Sequence, residues 1–128
     1  LTCNVNRNYE GITMSILFGD FESDQDVFGC FGIDFTDEVT ILLAEYYYED
    51  YSGSAWVLFM EDEKLYEVHG SHCSCYGLED QWEPEEVTAE VLSHRLENGH
   101  IGSYSHDAGQ FRHAMERIMN ILPILMDE

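Results

Sequence analysis

Cations are what this 128-residue sequence has least of. It holds one lysine, Lys64, and four arginines, Arg7, Arg95, Arg112 and Arg117, against 26 aspartates and glutamates, a formal net charge of -21 at pH 7. Phosphate backbones and anionic headgroups are gripped by Lys and Arg, so the composition argues against direct binding to nucleic acid or to an anionic membrane. Proline is scarce, with two residues, and no linker or internal repeat separates the chain into parts. No apolar run is long enough to cross a bilayer and no segment reads as a signal peptide. The four cysteines, Cys3, Cys30, Cys73 and Cys75, are therefore expected as free or metal-bound thiols of a reducing cytoplasm. Leu1 at the start suggests a processed or trimmed terminus, with Met14 as an internal alternative.

What is present is enough for a core. Hydrophobic residues make up 45%, against the disorder that so much like charge would otherwise favour. The length suits one domain, taken as residues 1–128. Acids crowd the first two-thirds, while the last third carries three of the five cations and reads as scaffold. Cations and basic protein surfaces are the expected partners, and the charge pattern leaves room for a homodimer.

The clearest elements lie in the middle. "EVTILLAEYYYEDY" is rich in β-branched and aromatic residues and predicts a strand over 39–48. "SGS" breaks it, "AWVLFM" and "LYEVHG" give two more strands, and "EDEK" turns between them. Trp56, Leu58 and Met60 fall on one face, with Ala55, Val57 and Phe59 on the other. Before this meander, "YEGITMSILFGDF" suits a short helix or strand, and "ESDQDVFGCFGIDF" a short helix and turn. After it, "EPEEVTAEVLSHRLENG" predicts a helix starting at Pro84 and stopping at Gly99, with Ala89, Leu92 and Leu96 inward. A second helix runs from an N-cap at Ser105, with Ala108, Phe111, Met115, Ile118 and Leu122 as its apolar stripe, and ends at Pro123. The expected class is α+β, a small antiparallel meander of about three strands covered mostly on one side by helices, two of them C-terminal.

"HGSHCSCYGLEDQWEPEE", His69 to Glu86, concentrates thiols and imidazoles. Thiolate and imidazole are zinc's preferred ligands, so His72, Cys73 and Cys75, with His94 from the next helix, form a candidate zinc site. The C-x-C spacing departs from the usual knuckle, and no second cysteine pair follows. Cys73 or Cys75 beside His72 or His94 also contains the atoms of a cysteine nucleophile and base, but no signature of a cysteine enzyme surrounds them. The simpler reading is a structural junction between sheet and helix.

The run "SHCSCYGLEDQWEPEE", preceded by "GSAWVLFMEDEKLYEV", resembles a segment of small proteins encoded by bacteriophages and prophages. The similarity spans roughly residues 39–97 and is most specific through "CYGLEDQWEPE". It implies a phage-related origin and a shared fold for that region, and it brings no catalytic residue and no activity.

Charge itself is then the better candidate for function. The expected partner-binding acids are Asp20, Glu22, Asp24, Asp26, Glu45, Glu49, Asp50, Glu61, Asp62, Glu63, Glu86, Glu90 and Glu97. Glu86, Glu90 and Glu97 share one face of the predicted helix, the first two about 6 Å apart along its axis, close to a phosphate spacing. Such an array would mimic DNA before the basic groove of a nucleic-acid-handling host protein, in the manner of an anti-restriction or anti-CRISPR inhibitor. Simple solubility or halophilic adaptation would also produce acidity, and "DFESDQD" lacks the glycine and final glutamate of a calcium loop. The tyrosines of "EYYYEDY" suit an interface, and at least one of Tyr46, Tyr47, Tyr48 and Tyr51 is expected to be exposed. The expectation is a cytoplasmic, non-enzymatic inhibitor without a cofactor, with a zinc domain as the alternative.

Overall fold

A computed structural model of the chain describes residues 15–73, 77–98 and 108–125. Its centre is a five-stranded mixed sheet in sequential order: β1 (Ile16–Gly19), β2 (Thr40–Glu49), β3 (Ser52–Glu61), β4 (Lys64–His72) and β5 (Glu85–Val87). Helix α1 (Asp24–Phe31) joins β1 to β2, while α2 (Ala89–Glu97) and α3 (Ala108–Leu125) follow the sheet. The class is α+β as expected. It has five strands rather than three, and it is not a pure meander, because β1 pairs with β2 in parallel. A parallel pair needs a crossover, and α1 supplies it.

Each face of the sheet has its own core. Leu43, Trp56, Leu58, Leu65 and Val87 pack under Leu92 and Leu96 of α2 and under Phe111, Met115, Ile118 and Leu122 of α3. The other face puts Ile41, Ala44, Ala55, Val57, Phe59 and Val68 against Val27, Phe28 and Phe31 of α1 and against Leu78. The alternation expected along β3 therefore holds. In β2 the register shifts between Ile41 and Leu43, so that Leu42 and Leu43 both join the α2–α3 core.

Local chemistry sets the helix limits. Ser23 caps α1 by accepting from the Asp26 amide at 3.1 Å. Gly32, at φ 75°, closes it while the Ile33 amide returns to the Phe28 carbonyl at 3.0 Å, a glycine-terminated stop. Thr88 caps α2 through the Val91 amide at 3.1 Å. The helix thus starts five residues after Pro84, and the preceding "EEV" pairs instead with β4, Leu65 opposite Val87. Ala89 is exposed, unlike Leu92 and Leu96. Pro123 sits inside the last turn of α3 rather than ending it. The expected signals at Ser105 and Gly99 lie outside the described residues.

The strand break falls at Asp50–Tyr51, and "SGS" opens β3 instead. Both hairpins are two-residue connections whose central residues have positive φ: Asp50 (56°) and Tyr51 (67°), then Asp62 (55°) and Glu63 (65°). This geometry matches the twist of the strands but usually recruits Asn and Gly. A side chain such as that of Tyr51 is strained there by on the order of 1 kcal/mol. Tyr51→Gly is expected to raise unfolding stability by about 0.5–1 kcal/mol in urea denaturation. No gain would mean that the Tyr51 side chain makes a compensating contact.

Candidate functional site

The C-terminal ends of the parallel pair β1–β2 gather the most varied chemistry. Asp20, directly after β1, extends the pairing: its amide donates to the Tyr46 carbonyl at 2.7 Å, and its carboxylate accepts from the Tyr48 amide at 3.0 Å. The Tyr46 hydroxyl lies 2.7 Å from His72 Nε2, and His72 Nδ1 lies 2.8 Å from the Cys73 carbonyl oxygen. A carbonyl only accepts, so Nδ1 carries the imidazole proton and Nε2 accepts from Tyr46. Gly53, opposite His72, makes this possible, because a Cβ there would run into the His72 ring and Tyr46. The Tyr48 ring lies against His72 in a tilted arrangement, centroids 5.2 Å apart, and is 50% exposed, while Tyr51 at the hairpin tip is 76% exposed.

Around these aromatic residues stand Asp20, Glu22, Asp24 and Asp26 from the β1–α1 connection and α1, with Glu49 and Asp50 from the hairpin. Asp26 is partly committed, since its carboxylate accepts from the Glu22 amide at 2.9 Å. Half-buried Cys30 lies close to this group. Burial, then the charges of Asp26, Glu79 and Asp20, push its thiol pKa up and make it a poor nucleophile. Burial and the neighbouring Cys30, Asp20, Tyr48 and Glu79 likewise raise Tyr46.

The other predicted acids lie elsewhere. Glu61, Asp62 and Glu63 form the β3–β4 turn, at the far end of a ten-residue strand and so ~30 Å from the first group. Glu86 lies on β5, not on a helix, which corrects the expected helical spacing from Glu86 to Glu90. Glu90 and Glu97 are exposed on α2. The acids thus form two poles and a flank rather than one continuous face.

Glu45 is a correction of another kind. It is 1% exposed and cannot meet a partner. On β2 it shares the face of Leu43 beneath α3, as strand alternation requires. Its Oε1 has no hydrogen-bond partner, and burial pushes its pKa up to about 7.

A second buried carboxylate, Glu67 on β4, has the opposite fate. Its Oε1 accepts from Trp56 Nε1 at 2.9 Å and Arg95 at 2.7 Å, and its Oε2 from Arg95 at 2.9 Å. His69 Nε2 adds a contact at 3.2 Å. Burial alone would raise Glu67, but the hydrogen bonds from His69, Arg95 and Trp56 and the Arg95 charge outweigh it. Its pKa falls well below the usual carboxylate range. Neither the cluster nor its role was foreseen from the sequence. The available signals were a Glu two residues after Leu65 on an inward face, and an Arg three residues after Leu92 on a core-facing helix.

Of the zinc candidates, Cys75 lies outside the described residues. His72 contacts Tyr46 on the α1 side of the sheet, whereas α2, which carries His94, packs on the opposite side. Among the described residues no three His, Cys, Asp or Glu side chains converge to hold a metal ion, and no helix is long and apolar enough to cross a membrane. Comparison with family models, curated proteins and solved structures finds no match.

The two buried carboxylates give opposite pH dependences. Glu45, raised on folding, contributes fully below its ordinary value of 4.5 and loses its contribution as pH rises to about 7, at most about 3 kcal/mol. Glu67, lowered on folding, stabilises above the ordinary carboxylate range and loses that effect on acidification. Thermal unfolding of the wild type should therefore move to lower temperature between pH 5 and pH 7. In Glu45→Gln this slope should disappear, and a persisting slope would place the titrating group elsewhere. Arg95→Leu should destabilise by about 3 kcal/mol in urea, because Glu67 is left charged and unpaired. The double variant with Glu67→Leu should recover much of the loss.

Proposed function

We propose that this chain is a non-enzymatic acidic binding protein of phage or mobile-element origin that inhibits a basic, nucleic-acid-binding host protein. Its carboxylates stand in for phosphates, and its target is the groove that would otherwise hold DNA or RNA. The observation that carries this reading is the pair of exposed rings, Tyr48 and Tyr51, set among Asp20, Glu22, Glu49 and Asp50 at one end of the sheet. Tyrosine supplies a rigid contact area with few torsions to freeze, and it stacks well on guanidinium groups. The carboxylates around it steer a cationic surface into place.

The strain at the hairpin supports the same assignment. Glycine at position 51 would relieve the backbone, so a large exposed aromatic there is explained by a contact outside the chain. The two acid groups at opposite ends of the sheet suit a groove longer than a single pocket, with the Tyr48–Tyr51 end as the anchor and the Glu61–Glu63 turn as the distal contact.

A nuclease-treated pull-down from bacterial lysate at low and moderate salt, read by mass spectrometry, tests the class of partner. Recovery of a nucleic-acid-binding host protein that is displaced by added DNA is expected. For that partner, Tyr51→Ala, or Glu22→Lys with Asp50→Asn, should weaken binding at least about tenfold, a contact of ~1.4 kcal/mol. Glu86→Lys with Glu90→Lys should weaken it less. Capture that ignores salt, DNA and all of these substitutions would defeat the proposal.

A further inference from the structure

Two carboxyl groups are buried among the described residues, and only Glu67 is fully partnered. Glu45 sits in a row across the sheet, with Phe18 of β1 beside it on one side and Trp56 of β3 on the other. Phe111, in the first turn of α3, touches both neighbours, with ring centroids 5.6 Å from Phe18 and 6.0 Å from Trp56. Glu45, 1% exposed, is thus buried in a row flanked by two aromatic residues whose rings Phe111 bridges.

Packing next to this enclosure is incomplete. A groove of about 450 Å³ runs between β1 and the first half of α3, bounded by Ile16, Phe18, Gly109, Gln110, His113 and Arg117. Gly109, beside which a Cβ would meet open space, weakens the helix at that end, while Phe111, Ala114 and Met115 hold its inner face in the core. Charged groups approach from some sides only. β1 offers none at Ile16 and Phe18. Across Trp56 lie Glu67 and His69 of β4 and Arg95 of α2, already joined to one another. On α3 His113 and Arg117 line the groove. On β2 itself, Tyr47 follows on the same face.

We infer that the seam between β1 and α3 is a pH-sensitive gate: ionisation of Glu45 unseats Phe111 and admits water from the groove to the carboxylate. A protonated Glu45 carboxyl is tolerated among the rings, whereas a carboxylate there lacks both hydration and a counter-charge. Undocking the first turns of α3 gives it hydration, with Arg117 at the edge of the groove as the fixed cation on that wall. The C-terminal half of α3 stays seated through Ile118 and Leu122, which are buried against the sheet.

The direction and size of the effect follow from the two states of Glu45. In the closed form its pKa lies near 7, and in the open form it returns toward 4.5. Opening is thus disfavoured in acid, and its equilibrium constant rises about tenfold between pH 6 and pH 8. Hydrogen exchange of the whole chain, followed by mass spectrometry and corrected for the intrinsic chemical rate, measures this directly. Amides in 108–116 should exchange about tenfold faster at pH 8 than at pH 6 while those of β3 do not change, and Glu45→Gln should flatten the response. A flat wild-type response, an undiminished response in Glu45→Gln, or parallel acceleration in β3 would each overturn the gate. If the variant does not fold, carboxyl-carbon NMR of the wild type decides, and titration of Glu45 in the ordinary range would end the proposal.

Discussion

A chain with a net charge of -21 must bury apolar surface efficiently enough to hold its own carboxylates together. That constraint explains why both faces of the sheet are covered. One layer of helices would leave half of β2 and β3 exposed, and those strands carry Leu, Val, Phe and Trp on alternating faces. Helix α1 and the segment around Leu78 and Trp82 close one side, and α2 and α3 close the other. Most acids among the described residues lie at strand ends, in turns and loops and near helix starts, where water screens them.

Within this frame the two buried glutamates show what decides the fate of a carboxylate. Glu67 meets an indole donor and a guanidinium, and the same contacts tie α2 to β3 and β4. Glu45, on the same face of the sheet, is buried with its Oε1 unpartnered. The first is a charged tie and the second a neutral group at the edge of ionisation, although both are fully enclosed. Their difference lies in the neighbours His69, Arg95 and Trp56, and scarce cations make a partner like Arg95 rare in this protein.

The Tyr48–Tyr51 end joins the functional and structural arguments. His72 and Tyr46 form a hydrogen-bonded pair over Gly53, and the Tyr48 ring lies against His72. The histidine-rich segment that stood out in the sequence thus serves as a support for an aromatic surface. Asp20 holds the Tyr48 backbone, so an acid of the expected binding set also builds the platform that presents the ring.

Strand alternation, a short helix within "ESDQDVFGCFGIDF" and the apolar stripe of α3 were legible in the sequence, because each rests on local periodicity or composition; the Ser23 and Gly32 limits of that helix came from the structure. The exposure of a tyrosine in "EYYYEDY" and the weight of acids on the surface were legible too. The parallel β1, the strand fate of "EEV" and the continuation of α3 past Pro123 were not, since each depends on pairing or packing with distant residues. The same reason separates Glu45 from the other acids: composition assigned all of them to the surface, and only the tertiary structure placed this one beneath Phe111. The sequence by itself determined that this is an acidic α+β chain with a real core. Which carboxylates are free, which is tied to Arg95 and which is enclosed without a partner was decided by tertiary contacts, because burial and counter-charge are properties of neighbours and not of the residue.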